Sequence, residues 1–337
     1  MAMASTTTVC VIIAAKNAER TIGRAIASAL RETAVSEVVV VDDGSDDSTP
    51  QASIEADDAS GRLQILKLDR NHGPAFARNR AIAQSSAPLI AILDADDFFL
   101  PGRFDSLLAG ADDWDFIADN IVFIDSRNVP GTAPQVPHFE PAPRFLNIKG
   151  FIDGNISRRG ASRGEIGFLK PVMRRAFLDA HGLRYDEKLR LGEDYELYAR
   201  ALLKGARYKV VHGCGYGAVV RPDSLSGKHR TEDLKRLYEA DRAMLSGALL
   251  QDTRTALQNH ERHIRARYEL RHFLDIKAAR GLAAAGAHAL GHPGALPAIV
   301  RGVLGDKLEA FGARGKAAGN EPAAPRYLLP ARADVQR

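Results

Sequence analysis

The chain has 337 residues, 45% of them hydrophobic and 26% charged, with 46 Lys+Arg against 42 Asp+Glu. That length and balance supply one large or two modest domains with a buried core and exclude a globally disordered chain. The net charge of +4 hides a division: residues 253–337 hold 14 basic and 7 acidic side chains, a balance of +7, which leaves residues 1–252 at −3. A segment so charged is suited to an anionic surface, against the plainer reading of a solvated helical face.

The elements follow in order. Met1–Val9 has neither basic residues nor a long apolar core, so it does not read as a signal peptide. Val9–Ala14 is an apolar run, and Ile22, Ile26 and Leu30 recur at four-residue spacing within Thr21–Arg31. Val38–Val41 is a second β-branched run, and Ser48–Asp58 fits a short helix with Asp46 or Asp47 as its N-cap. Leu63–Leu68 reads as a third strand, Pro74–Gln84 as a helix and Leu89–Leu93 as a fourth strand. Continuous apolar strands alternating with helices predict an α/β fold with a mostly parallel sheet covered on both faces.

From about 126 to 165 the pattern breaks at Pro130, Pro134, Pro137, Pro141 and Pro143, followed by Arg158, Arg159 and Arg163 among glycines. Helical spacing returns at Arg174–His181 and Glu193–Lys204, and Tyr208–Val211 reads as a strand. The chain is expected to be helical from Glu232 through Arg280. Residues 281–300 lack Asp, Glu, Lys and Arg but contain four Gly and two Pro, which suits an interfacial or packed segment better than a membrane span. Residues 316–337, with Pro322, Pro325 and Pro330, read as a loose tail. Cys10 and Cys214 form no disulfide framework or metal spacing; both read as core thiols in a reducing compartment.

In open parallel sheets ligands bind beyond the carboxyl ends of the strands. Three such ends carry Ala14-Ala15-Lys16-Asn17, Asp42-Asp43-Gly44-Ser45 and Asp94-Ala95-Asp96-Asp97. Five carboxylates on one edge call for a cation or hydrogen-bond donors, because unpaired buried acids are costly. Asp94 and Asp96, one residue apart after a strand, suit a hard cation such as Mg²⁺ or Mn²⁺ whose shell substrate phosphates complete. Asp43 fits an acceptor for a nucleobase N–H, although Asp-Asp-Gly-Ser is also ordinary turn chemistry. Glu193 and Asp194 suit a helix N-terminus, and a carboxylate held there can serve as general base.

These segments resemble glycosyltransferase family 2, inverting enzymes of GT-A fold. The resemblance is carried by Val11-Ile12-Ile13-Ala14-Ala15-Lys16-Asn17, Val40-Val41-Asp42-Asp43-Gly44-Ser45, Asn71-His72-Gly73-Pro74-Ala75-Phe76-Ala77-Arg78-Asn79, Asp94-Ala95-Asp96-Asp97 and Gly192-Glu193-Asp194. In order and spacing they cover about residues 8–230. Overall likeness, including Gly164-Glu165-Ile166-Gly167-Phe168-Leu169-Lys170, is similar to bacterial exopolysaccharide glucosyltransferases of the succinoglycan type.

The resemblance implies a domain over residues 1–230 with its nucleotide part at about 8–125 and its acceptor part at about 126–230, then a helical basic region at 231–315. It implies that Asp43 binds uracil with Ala15, Lys16 and Asn17 lining the nucleotide site, that Arg78 approaches the nucleotide, and that Asp94 meets its ribose or the metal. Asp96 would ligate Mg²⁺ or Mn²⁺ under the diphosphate, with Asp97 and His229 as further candidate ligands, and Asp194 would be the catalytic base. An aromatic residue often stands where this chain has Lys16.

The family's polymerases carry Gln-X-X-Arg-Trp and membrane helices; the one tryptophan here is Trp114, which points to transfer of a single sugar. The implied partners are a UDP-sugar donor and a lipid-linked oligosaccharide acceptor, with peripheral contact at the cytoplasmic face of the membrane through the basic C-terminal region. Sparse aromatics in that region disfavour nucleic acid. A sugar-nucleotide nucleotidyltransferase would want a Gly-rich loop after the first strand, which is missing. A non-catalytic membrane-surface module would not need carboxylates at three separate places.

Overall fold

The computed structural model describes residues 7–110, 113–128, 144–157, 165–220, 230–313 and 325–329. The chain divides into two units, one running to Pro222 and resuming at Ala323, the other spanning Asp223–Pro322.

The first unit opens as the hydrophobic pattern predicts. Strand β1 (Val9–Ala15) is followed by α1 (Ile22–Leu30), β2 (Val35–Asp42), α2 (Thr49–Glu55), β3 (Leu63–Lys67), α3 (Pro74–Gln84) and β4 (Leu89–Ile92). These four strands pair in parallel in the order β3-β2-β1-β4. Consecutive residues of β1 and β4 are buried, so both faces of the sheet are covered at its centre. Helix α2 is shorter than its pattern, and its N-cap is Ser48 rather than an aspartate. Asp47 still serves that helix end, because its Oδ1 accepts the Thr49 N–H at 3.0 Å.

Beyond β4 the sheet becomes mixed. The chain adds β5 (Phe98–Phe99), α4 (Arg103–Leu108), β6 (Phe116–Asp125), β7 (Arg144–Leu146), α5 (Ile148–Asp153), β8 (Val172–Arg174), α6 (Arg175–Ala180), α7 (Glu193–Leu203) and β9 (Tyr208–Val220). The order continues β4-β8-β6-β9-β5, with β8 antiparallel to both β4 and β6, and β6 parallel to β9. Strand β6 escapes a sequence reading because Asp119 and Asn120 interrupt its apolar run. Both are buried and satisfied: Asp119 pairs with Arg103, and the Asn120 amide exchanges hydrogen bonds with the backbone of Leu329.

That last contact alters the expectation of a loose tail. The segment Arg326–Tyr327 forms strand β10, antiparallel to β6 opposite Phe123 and Val122, and Leu328 is buried. A short apolar stretch, Tyr327-Leu328-Leu329, has a ready site against an exposed edge of paired strand.

The second unit is helical. Helix α8 (Thr231–Leu245) packs Leu234, Leu237 and Tyr238 inward, and α9 (Gln251–Gly291) buries Ala256, Leu257 and Ile264. Asp241 and His260 form a buried pair at 2.7 Å. His263 is held down to about 4 by burial and then by Arg267, so both histidines are packing residues here. Gly281 leaves helical geometry at φ 81°, breaking α9, and α10 (Leu296–Ala313) follows. Ala289, Ala295 and Ile299 form a small core with Phe273, Leu296 and Val303. Among the described residues no helix is long and apolar enough to cross a membrane.

Candidate active site

The carboxyl ends of the parallel strands form the first part of the site. Gly44, at φ 66°, turns the chain after β2 so closely that a Cβ there would stand 2.5 Å from the Arg70 carbonyl carbon. The β1 end is tied to this turn: Asn17 N–H donates to Ser45 Oγ, Asn17 Oδ1 accepts the Asp46 N–H, and Lys16 Nζ donates to the Gly44 carbonyl. Ala15 is buried, and its carbonyl accepts the Asp43 N–H at 2.8 Å. Asp43 is 4% exposed, and its two carboxylate oxygens accept the N–H groups of His72 and Gly73, each at 2.7 Å. Asp43 therefore anchors the loop that opens α3, a contact the sequence did not announce.

The second part is a buried charge cluster. Arg78, on the second turn of α3, reaches Asp94 Oδ1 at 2.9 Å through Nη2 and Glu193 Oε1 and Asp194 Oδ1 at 2.8 and 3.1 Å through Nη1. Lys170 Nζ lies 2.7 Å from Asp194 Oδ2 and 3.0 Å from Asp94 Oδ2. Gly192, at φ 73°, supplies the left-handed turn by which the chain enters α7 and aims Glu193 and Asp194 at these cations. Three carboxylates thus share two buried cations.

Burial opposes ionisation of Asp94, Lys170, Arg78 and Glu193, and the neighbours decide the result. Around Asp94 the ammonium of Lys170 and the guanidinium of Arg78 override burial and hold its carboxyl well below the usual range. Burial would depress Lys170 and Arg78, but Asp194 and Asp94 raise both. Glu193 goes the other way: burial pushes it up, only partly opposed by Arg78.

Arg78 thus contacts three carboxylates, and each oxygen of Asp94 meets one cation, Oδ1 at Arg78 and Oδ2 at Lys170. Asp97 is held within the protein as well. It is 7% exposed, its oxygens accept from the Tyr216 hydroxyl and the Val219 N–H at 2.8 Å each, and burial and then Asp96 and Asp94 raise it well above the usual range. The Tyr216 hydroxyl in turn accepts the Asp94 N–H, so Asp97 props the Asp94–Asp96 turn from below. Asp96 is half-buried, with its carbonyl held by Arg24. His229, Arg158, Arg159 and Arg163 lie outside the described residues. No group of three or more His, Cys, Asp or Glu suited to a metal occurs among the described residues. Cys10 and Cys214 are pushed up to about 12 by burial, as core thiols are.

Lys170 belongs to this cluster without having been among the expected site residues. One signal was available: a lone lysine inside Phe168-Leu169-Lys170-Pro171-Val172-Met173 is a buried cation that must find carboxylates.

A family model described as glycosyl transferase family 2 matches residues 10–179. The succinoglycan biosynthesis protein ExoU of Rhizobium meliloti (strain 1021) is 61% identical over 312 residues, which cover 92% of this chain and 91% of that protein. The succinoglycan biosynthesis protein ExoO of the same organism is 36% identical over 272 residues, covering 78% and 74%. Among solved structures, S. aureus TarS 1-349 in complex with UDP-GlcNAc superposes with a TM-score of 0.57 at 20% identity, over 81% of this chain and 76% of that one. These likenesses favour sugar transfer over nucleotidyl transfer or a silent binding module. With parallel strands ending in the expected acids and these relatives along nearly its whole length, the chain belongs to glycosyl transferase family 2 and is a glycosyltransferase of GT-A fold.

Proposed function

We propose that this enzyme transfers one glucosyl unit from UDP-glucose to a hydroxyl of a lipid-linked exopolysaccharide repeat unit, with inversion at C1. The observation that carries the reading is the Asp194 carboxylate, fixed at the opening of α7 and joined through Arg78 and Lys170 to Asp94 at the end of β4. The relatives named for succinoglycan biosynthesis support the pathway class, and the TarS complexes with UDP and UDP-GlcNAc support a UDP-sugar donor.

In this mechanism Asp194 takes the proton of the acceptor hydroxyl as its oxygen attacks C1 from the face opposite the diphosphate. The C1–O bond to the diphosphate breaks, and UDP leaves with the bonding pair. The strand-end loops around Ala15–Asn17 and Asp43 shape the nucleotide side. Asp96 offers a hard carboxylate oxygen, the donor type that Mg²⁺ or Mn²⁺ takes together with substrate phosphates. Such an ion supplies neutralisation of the charge that develops on the leaving diphosphate.

The lipid-linked acceptor fits the C-terminal composition. Residues 253–337 carry the +7 balance, and Leu282, Leu290, Val300 and Leu304 are exposed between and beyond Arg280 and Arg301. Exposed leucines with flanking arginines suit peripheral attachment at the cytoplasmic face of an anionic bilayer.

A donor panel tests the reading. UDP-glucose is expected to be consumed faster than UDP-galactose or UDP-GlcNAc, and EDTA is expected to stop turnover until Mn²⁺ or Mg²⁺ is restored. Asp96→Ala is expected to weaken Mn²⁺-dependent UDP binding at least about tenfold, the loss of one carboxylate from a sparse shell. Tight UDP binding by that variant, indifferent to EDTA, would refute the metal assignment.

A further inference from the structure

Lys170 is 6% exposed, and a buried ammonium costs several kcal/mol unless its partners are well placed. Its partners are Asp194 Oδ2 at 2.7 Å and Asp94 Oδ2 at 3.0 Å, so one ammonium spans the end of β4 and the start of α7. Its own backbone is fixed as well: the Lys170 carbonyl accepts from Arg103 Nη2 at 2.6 Å, and Arg103 is itself buried against Asp119.

Arg78 holds the opposite oxygen of Asp194, Oδ1, at 3.1 Å. The terminal torsion of an aspartate is broad and nearly two-fold, so an unclamped carboxylate at a helix start samples many orientations. A different cation on each oxygen removes that freedom.

We propose that Lys170 is a positioning residue for the transfer reaction: it holds the Asp194 carboxylate in the orientation that meets the acceptor hydroxyl, and ties that orientation to Asp94 on the nucleotide side. The inference rests on Asp194 being the base. Arg78 cannot replace Lys170, because its two terminal nitrogens are already divided among three carboxylates.

The test is a double-mutant cycle on the full chain, reading kcat and KM for UDP-glucose, UDP affinity with Mn²⁺ by calorimetry, and melting temperature. Lys170→Met is expected to lower kcat about 10–100-fold, the scale of a reacting group displaced by less than or about 1 Å, with UDP affinity and KM within about threefold. Lys170→Arg is expected to recover part of kcat. Placed on an Asp194→Asn background, Lys170→Met is expected to change the residual kcat less than about threefold, since a residue acting through another is silent once that other is gone.

An equal loss of kcat on both backgrounds overturns the proposal, as does a fall in UDP affinity that matches the fall in kcat, or unchanged kcat in Lys170→Met. If Lys170→Met does not fold, Lys170→Gln carries the same comparisons. Wild-type transfer by Asp194→Asn alone is a separate outcome: it removes the base assignment and the proposal with it, whereas the first three remove only the role of Lys170.

Discussion

Asp194→Asn is expected to bind UDP with Mn²⁺ about as the wild type does and to lose transfer by about 10²–10⁴-fold, the contribution typical of a positioned acid or base. Asparagine keeps the shape and the acceptor oxygen but cannot take the acceptor's proton. It also removes one negative charge from a cluster in which Asp94, Glu193 and Asp194 face Arg78 and Lys170. An amide NH2 then faces Arg78 or Lys170 where a carboxylate oxygen stood, so the variant is expected to melt below the wild type while remaining folded. Calorimetric UDP titration beside a steady-state transfer assay separates binding from chemistry. Transfer within about tenfold of wild type would assign the base elsewhere.

The largest stability effect is expected at Arg103. Its side chain is fully buried, with Nε and Nη2 on Asp119 Oδ1 at 3.1 and 2.8 Å, Nη2 on the Lys170 carbonyl, and the rings of Phe99 and Tyr216 at 4.8 and 5.3 Å from its guanidinium. Asp119 Oδ2 accepts the Gly215 N–H at 2.6 Å, so the pair joins α4, β6, β9 and the segment before β8. Arg103→Met leaves the Asp119 carboxylate buried without its cation, a change that costs about 3–5 kcal/mol. For a domain of this size that is a drop of roughly 6–20 °C in melting temperature. Adding Asp119→Asn removes the stranded charge and keeps an acceptor for Gly215, so the double variant is expected to melt above Arg103→Met. A double variant that melts lower still would mean that Asp119 stabilises the fold independently of Arg103.

The two effects meet at Lys170. Arg103 fixes the lysine's carbonyl and Asp194 takes its ammonium, so a structural pair in the core and the charge cluster of the site share one residue. This is why a scaffold mutation at Arg103 is expected to reach the chemistry, whereas the buried Asp241–His260 pair joins α8 to α9 within the helical unit.

The amino-acid sequence by itself determined the parallel half of the sheet, because β1, residues Val38–Val41 of β2, and β4 are apolar runs whose burial on both faces is a local property of their composition. It also determined which loops bear the acids, since strand ends are where such runs stop. Strand β6 was hidden by Asp119 and Asn120, whose partners lie in α4 and β10. The tertiary structure alone decided which partners the acids meet. Arg78 and Asp194 are 116 residues apart in the chain, and no spacing rule links a lysine before β8 to carboxylates after β4 and at the start of α7. Asp43 and Asp97 looked like ligand groups and are tied to backbone N–H donors from distant segments. The reason is physical: a buried charge is satisfied by whatever packing brings within 3 Å, and packing is a property of the whole fold.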